Sequence, residues 1–564
     1  MFHQIFRKLK KSKAIKKRLV NPDEIFLDSS NIPSFNRDQF EGRIETPISK
    51  LSLGLLKYSF LFVALLFVYR AVSLQIIDSD YYVKRATNNN LKKEVIFSHR
   101  GIIADRNNIN IAWNEEKDGN EYDKRVYLGG SGLSHLLGYV KYPGQDSKGN
   151  FYSFSITGQD GLERYFDERL SGVNGAKLTE VSVRGEIESQ STLEPPINGD
   201  KIYLSIDAAV NKELYRQLSI AVEDSGFVGG AGVIMDAHTG EILASASYPD
   251  YDSNVMTEGS DREKINGYIN SKRLPFLDRV VSGLYAPGSV MKPFIALGIL
   301  QENIIDQYQN ILTHGFLSLP NPYNPSKPTI FKDWKNHGYV DLRKAIAVSS
   351  DVYFYITGGG FEDQKGLGIS KIDEYVSKFL FGVPTQDFFE GPDGTIPTPE
   401  WKAKVFDGES WTVGNTYHTA IGQYGFQVTP LQLARSVAGI ATDGTMVEPT
   451  IIKHEQGRTT KIEGIDAKNY KIVKEGMRQA VTDGTAVALN IPGVAIAAKT
   501  GTAELGSTKA RVNSWVEGFF PYENPKYVFA LVLESGPTTY KVSAMRAMSD
   551  TLIAVRDSKP EYVR

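Results

Sequence analysis

The chain has 564 residues, enough for three or four units with cores of their own. Its 64 basic and 66 acidic residues nearly cancel, so the protein as a whole carries no nucleic-acid signature. Cysteine is absent, which excludes disulfides and any cysteine-ligated metal.

Charge is uneven at the start. Eight of the first twenty residues are basic (Arg7, Lys8, Lys10, Lys11, Lys13, Lys16, Lys17 and Arg18) and none is acidic. Phe2, Ile5, Phe6 and Leu9 recur at helical spacing among them. This predicts either an amphipathic helix on an anionic leaflet or a basic tail that only sets orientation. Residues 1–50 are therefore taken as a cytoplasmic basic tail.

Residues 51–77 turn apolar and are expected to cross a membrane once. Only twelve residues separate Lys57 from Arg70, too few for a hydrocarbon core of about 30 Å. The span works if both snorkel to the interfaces and the helix runs from about Leu51 to Leu74. The segment lies too deep for a cleaved signal peptide. Basic residues before it and mixed charge after it put the N-terminus inside the cell and the remainder outside.

Residues 78–225 read as a β-rich pedestal, with strands at Leu91–Ile96, Ile102–Ala104, Lys177–Val183 and Lys201–Ser205. A helix, Ala208–Glu223, closes this region, and the alternative is that the region belongs to the domain that follows. The Glu115–Asp123 run and Pro195-Pro196 read as loops. Residues 226–564 read as one α+β domain with an antiparallel sheet. Ala231–Asp236 and Glu241–Ser247 form a hairpin through His238-Thr-Gly240, and Ser289–Ile299 is a buried helix. Thr429-Pro430 starts another helix with a cap residue and an N1 proline, and it ends at Asp443-Gly444. Ala495–Thr502, Ser514–Phe520 and Tyr527–Glu534 are strands, and a helix near Val542–Val555 closes the chain.

Three strings carry the chemistry: Ser289-Val-Met-Lys292, Ser349-Ser-Asp351 and Lys499-Thr-Gly-Thr502. Ser289 and Lys292 share one face at a helix start, where a lysine neutralised by burial or neighbouring cations can take the serine's proton. The backbone N–H of Ser289 has no intrahelical partner there and suits a developing oxyanion. The Ser349 hydroxyl can relay a proton to a leaving amine, with Asp351 orienting a lysine or a substrate amide. Lys499 and the hydroxyls of Thr500 and Thr502 can hold a carboxylate, and the Thr502 N–H can complete the oxyanion hole. Gly501 allows a second backbone to approach, as when a peptide adds to a sheet edge.

Together these strings resemble the class B penicillin-binding proteins, which are membrane-anchored peptidoglycan transpeptidases. The resemblance extends to His99-Arg-Gly-Ile-Ile-Ala-Asp-Arg106, Gly158-Gln-Asp-Gly-Leu-Glu163, Asp236-Ala-His-Thr-Gly-Glu241, Tyr285-Ala-Pro-Gly-Ser289 and Thr429-Pro-Leu-Gln432. Gly394-Thr-Ile-Pro-Thr-Pro-Glu-Trp401 and the aspartate of the second motif are most similar to the elongation type. The resemblance implies a pedestal (dimerisation) domain followed by a penicillin-binding, serine β-lactamase-like transpeptidase domain. In it Ser289 would attack the penultimate D-alanine of a stem peptide, with Lys292 as base and Ser349 relaying protons. Lys499, Thr500 and Thr502 would bind the terminal carboxylate. β-Lactams would acylate the same serine. The implied partners are a SEDS-family glycan polymerase in the membrane and stem peptides on lipid-linked precursors. No cofactor is implied.

Three departures from the family pattern stand out. Asp351 takes a place that is Asn in most relatives outside the elongation type. Gly422-Gln-Tyr424 puts a Cβ where glycine is usual. Only about a dozen residues join Trp113 to the Arg125-Val-Tyr127 stretch, so the pedestal's head is reduced, which bears on contacts with elongation scaffold proteins. A zinc site of some elongation-type relatives uses a cysteine that is missing here, leaving Asp333 and His337 alone, and no metal is expected. A septal transpeptidase, a β-lactam-hydrolysing enzyme and a β-lactam sensor or inactive scaffold are the alternatives.

Overall fold

The computed structural model describes residues 49–116, 121–147, 151–181, 187–321, 324 and 326–563. The Phe2–Leu9 pattern and the Ser182–Val183 end of one expected strand lie outside these residues. The chain divides into two compact units between Asn90 and Leu91.

In the first unit, helix α1 (Lys50–Val72) starts at Ser49, whose hydroxyl accepts the Ser52 N–H at 3.1 Å. It runs on through a π turn at Ser73–Ile77, giving 28 helical residues with none of the apolar window buried. At 1.5 Å per residue that is about 42 Å, enough for a hydrocarbon core of about 30 Å with Lys57 and Arg70 inside the helix rather than bounding it. Helix α2 (Ser79–Asn90) follows.

The second unit begins with the β-rich region. Strands β1 (Leu91–Ile96), β2 (Ile103–Ala104), β3 (Asn110–Glu115) and β4 (Lys124–Tyr127) are followed by β5 (Gly175–Val181), β6 (Ile187–Glu194) and β7 (Ile202–Tyr203). They form two sheets, ordered β1-β5-β6 and β4-β3-β2-β7, with β2 and β7 parallel. β3 and β4 pair directly, from Ala112 opposite Tyr127 to Glu115 opposite Lys124.

One buried carboxylate ties this region together. Glu163 Oε2 accepts Arg100 Nε at 2.6 Å, and its Oε1 accepts Arg125 Nε at 2.8 Å and the Tyr127 hydroxyl at 3.2 Å. Arg100 also donates to the Asp167 carboxylate at 2.7 Å. Burial raises the Glu163 proton affinity, but the Arg125 and Arg100 guanidiniums outweigh it and hold the carboxyl below its usual range.

Helix α3 (Ala208–Ser225) is capped by the Asp207 side chain, which accepts the Ala209 and Val210 N–H groups. Val210, Leu214, Leu218 and Ala221 bury against Ile234, Leu243, Ala244 and Phe529. The helix expected at the end of the pedestal thus packs on the sheet of the following domain, the alternative that its pattern left open.

That sheet holds β8 (Gly229–Asp236) and β9 (Ile242–Tyr248) from early in the domain. The intervening helices that matter here are α4 (Lys292–Gln301), α5 (Leu342–Val348), α6 (Asp351–Gly359), α7 (Pro430–Ala441) and α8 (Ala467–Asp483). Thr429 and Gln432 form a reciprocal capping box at the start of α7. Strands β10 (Ala497–Leu505), β11 (Arg511–Phe520) and β12 (Tyr527–Pro537) and helix α9 (Ala544–Ser558) complete the domain. The order is β9-β8-β12-β11-β10, all neighbours antiparallel, so β10 is an edge strand. One face buries β-branched and aromatic side chains under α3 and α9. The other packs Ala497, Trp515, Phe519 and Ala530 into a core shared with α4 and α7. The expected α+β class and antiparallel sheet are what the structure has.

The two regions of this unit are joined by polar contacts between segments far apart in sequence. Arg106 Nη2 pairs with Glu241 Oε2 at 3.0 Å, and Lys453 Nζ donates to the Arg106 carbonyl at 2.9 Å. The Ser205 N–H donates to the Ile451 carbonyl at 2.8 Å.

Removing Glu163 leaves two buried guanidiniums without their shared anion, which typically costs about 3–5 kcal/mol. Glu163→Gln should therefore lower the thermal unfolding midpoint of the detergent-solubilised chain. A carboxyl with a lowered folded-state value stabilises above its unfolded value, about 4.3. That stability is lost as pH falls through the folded value, so an acid-unfolding step below about pH 4 should be present in the parent and weakened in the variant.

Candidate active site

Ser289 sits on a tight 3-10 turn, Gly288–Met291, that runs directly into α4. The sequence reading had both Ser289 and Lys292 on one α-helix; the extra tightness comes from Gly288. Its φ of +60° turns the chain, and its N–H donates to the Gly422 carbonyl at 2.9 Å. In such a turn positions i and i+3 eclipse, which stacks Ser289 over Lys292. The Ser289 hydroxyl has no hydrogen-bond partner among the described residues and lines an open groove of about 1380 Å³.

Lys292 is fully buried. Its amine donates to the Ser349 carbonyl at 2.8 Å, the Ser349 hydroxyl at 3.3 Å and Asp351 Oδ1 at 2.6 Å. Three acceptors match the three protons of an ammonium. Burial raises the Asp351 proton affinity, and Lys292 opposes that rise.

Ser349 ends α5 in the left-handed region, at φ +60°. A non-glycine residue held there costs of order 1 kcal/mol. The conformation turns both its carbonyl and its hydroxyl toward Lys292. Ser350 then caps α6, accepting the Tyr353 N–H at 3.3 Å and donating to Asp333 Oδ2 at 2.9 Å. Asp333 also accepts the Val352 N–H at 3.0 Å, so it anchors the start of α6. His337 lies 3.4 Å from the same carboxylate, and no group of three potential metal ligands forms among the described residues.

The third motif lies on the edge strand β10. Lys499 is fully buried, and its amine donates to the Ser349 hydroxyl at 2.8 Å and to the Thr500 carbonyl at 2.7 Å. Burial, and then the charge on Lys292, push this amine well below the ordinary lysine range, against Glu517 and Asp351. The Thr500 hydroxyl is 2.7 Å from that of Thr485, a residue that the motif reading did not single out. Thr502 is exposed on the groove. A Cβ on Gly501 would lie 2.9 Å from the Pro287 carbonyl and 3.0 Å from a Val290 methyl. The backbone that approaches Gly501 most closely is the serine-bearing turn itself, not an added peptide. The outer edge of β10 is what remains for a peptide strand.

The structure thus places Ser289, Ser349, Asp351, Thr500, Gly501 and Thr502 on the groove, with the buried amines of Lys292 and Lys499 bonded to Ser349. It adds Asp333, Thr485 and an aromatic wall. Tyr424 adopts φ +61°, the left-handed conformation usual for glycine. Its ring is held by Trp411 and Trp401, with centroids at 5.6 and 5.9 Å, and stacks 16° from the plane of Phe406.

The geometry has close counterparts among known proteins. The family model for the penicillin binding protein transpeptidase domain matches residues 230–552, and that for the penicillin-binding protein dimerisation domain matches residues 118–204. Peptidoglycan D,D-transpeptidase MrdA of Haemophilus influenzae is 30% identical over 452 residues, 73% of this chain and 66% of the relative. A solved Pseudomonas aeruginosa PBP2 in complex with WCK 5153 is 29% identical, with a TM-score of 0.64 over 82% of this chain and 96% of that one. A Helicobacter pylori PBP2 solved with MreC is 25% identical, with a TM-score of 0.67 over 83% of this chain and 100% of that one. A catalytic fold matched over more than half its length, behind a matched pedestal, makes this chain a member of the penicillin-binding protein transpeptidase family.

Proposed function

We propose that this chain is a peptidoglycan D,D-transpeptidase of cell-wall elongation. The observation that carries the reading is the Ser349 hydroxyl lying between the buried amines of Lys292 and Lys499, beside Ser289 and an open strand edge. A stem peptide lies along the outer edge of β10 with its terminal carboxylate on Lys499, Thr500 and Thr502. That carboxylate favours the ammonium form of Lys499. A proton then passes from Lys292 to the Ser349 oxygen as the Ser349 hydroxyl proton moves to Lys499, leaving Lys292 as the base for Ser289.

Ser289 Oγ attacks the carbonyl of the penultimate D-alanine, and its proton goes to Lys292. The N–H groups of Ser289 and Thr502 stabilise the oxyanion. Collapse expels the terminal D-alanine, whose amine takes a proton through Ser349. An amine from a second stem attacks the acyl-enzyme and forms the cross-link. A β-lactam carries a carboxylate and an acylating carbonyl in similar positions, so it acylates the same serine.

The elongation assignment over a septal one follows the relatives, which are MrdA and PBP2 proteins. The membrane helix holds the chain in the membrane with the catalytic domain outside, and it presents a surface to a polytopic glycan polymerase. The Helicobacter pylori relative solved with MreC supports a scaffold protein of that kind as a partner of this chain.

Intact-mass spectrometry after a penicillin pulse tests the chemistry. The parent should carry a long-lived adduct that Ser289→Ala lacks, whereas rapid loss with antibiotic turnover would indicate a β-lactam hydrolase instead. Ser349→Ala breaks the link between the two lysines and should slow acylation by about 10²–10⁴-fold, the usual worth of positioned proton transfer.

The absence of native cysteine makes the topology equally testable. In intact cells a membrane-impermeant maleimide should label Ser558→Cys and spare Ser12→Cys, and the reverse pattern would sink the orientation.

A further inference from the structure

Both buried amines converge on Ser349, yet nothing in a serine side chain favours the left-handed backbone that aims it at them. A residue held in that region persists only where its surroundings over-determine it. The bonds that do so come from residues 332–334, a segment that the chemistry above does not use.

Before Ser349, the Trp334 indole N–H donates to the Val348 carbonyl at 3.2 Å. After it, Asp333 Oδ2 accepts the Ser350 hydroxyl at 2.9 Å and the Val352 N–H at 3.0 Å. One turn further along α6, the Tyr355 hydroxyl donates to the Lys332 carbonyl at 3.2 Å. The Asp333 N–H donates to the Gly315 carbonyl at 2.8 Å, which fixes the segment itself. Among the described residues these bonds grip both sides of Ser349 and none falls on it. Its carbonyl and hydroxyl are left to Lys292 and Lys499. The Asp333 side chain has no exposure, and Ser350 has none either, so water cannot take over their bond.

We propose that Asp333 is a positioning residue for Ser349, with Trp334 as a second brace. Together they strap the break between α5 and α6 into the conformation that sets the Ser349 hydroxyl between the two lysines. This rests on the reading of Ser349 as the proton relay. A break released at Ser350 and Val352 relaxes toward ordinary backbone conformations, and the Ser349 oxygen then leaves one amine or both. Misplacement by about 1 Å at a reacting group costs about 10²-fold in rate.

The test is the second-order rate of Ser289 acylation by benzylpenicillin on the detergent-solubilised full chain. Asp333→Ala should lower it by about 10²-fold. Asp333→Asn should restore most of the rate, because one amide oxygen has two lone pairs and can take both donors. That rescue separates the hydrogen bonds from charge. Burial and, to a lesser degree, the charge on Asp333 raise the Asp351 proton affinity, an effect that asparagine would not reproduce. In a Ser349→Ala background, Asp333→Ala should cost at most about a further twofold, since a residue acting only through Ser349 has nothing left to position. Should Asp333→Ala fold poorly, Trp334→Phe keeps a ring and removes the indole N–H. It should slow acylation about fivefold, the net worth of one neutral hydrogen bond, and change nothing in the Ser349→Ala background.

An asparagine variant as slow as the alanine one would overturn the proposal and leave the transpeptidase reading intact. So would equal losses with and without the Ser349 hydroxyl. A Ser349→Ala chain that acylates at the parent's rate overturns the relay, and this role with it.

Discussion

Two lysine amines buried within reach of one serine hydroxyl are an electrostatic problem that the catalytic domain is arranged around. Lys292 and Lys499 contact Ser349 Oγ at 3.3 and 2.8 Å, with no exposure of either side chain. Isolated buried ammonium groups would lose several kcal/mol of hydration each. Asp351 supplies the anion for one, and a lowered proton affinity relieves the other. The hydroxyl stays between them because three elements converge: the start of α4, the break between α5 and α6, and the edge strand β10. Each holds its residue by a backbone device rather than by side-chain packing alone. Gly288 turns the chain, Ser349 takes a left-handed conformation, and Gly501 admits the turn against the strand.

Much of this was legible in the chain. The alternating apolar runs of β8 to β12 and the capping signal at Thr429 depend on local pattern, so they were found to within a few residues. The three motifs were legible because a nucleophile, a base and a carboxylate anchor need particular residue types at short spacing. What local pattern could not supply was the partner of each. The closeness of Thr485 to Thr500 arises from a loop approaching a strand. Glu517 looks like an ordinary polar position in a strand until the register sets it opposite Lys499 and the core closes over both. Helix α3 shows the same limit: its apolar stripe predicts a helix but not which sheet it covers.

Tyr424 shows how an unfavourable backbone choice is tolerated. A side chain at φ +61° is strained relative to glycine, yet its ring gains three aromatic neighbours at the rim of the groove. Aromatic pairs contribute about 0.5–1.5 kcal/mol each beyond burial, enough to offset the conformational cost. The exchange puts an aromatic wall on the groove that Ser289 lines.

The junction at Arg106 and Glu241 has a mechanical meaning. It couples the stretch His99–Arg106 to the hairpin that forms the far edge of the catalytic sheet, and the Lys453 and Ser205 contacts brace it from a second direction. A joint bonded along two directions resists bending. The pedestal region and the sheet can turn relative to each other at this joint only by breaking those bonds. Glu241 sits at the far edge of the sheet, and the opposite edge carries Lys499. Strands β8, β12 and β11, hydrogen-bonded in series, are all that separates the two rims.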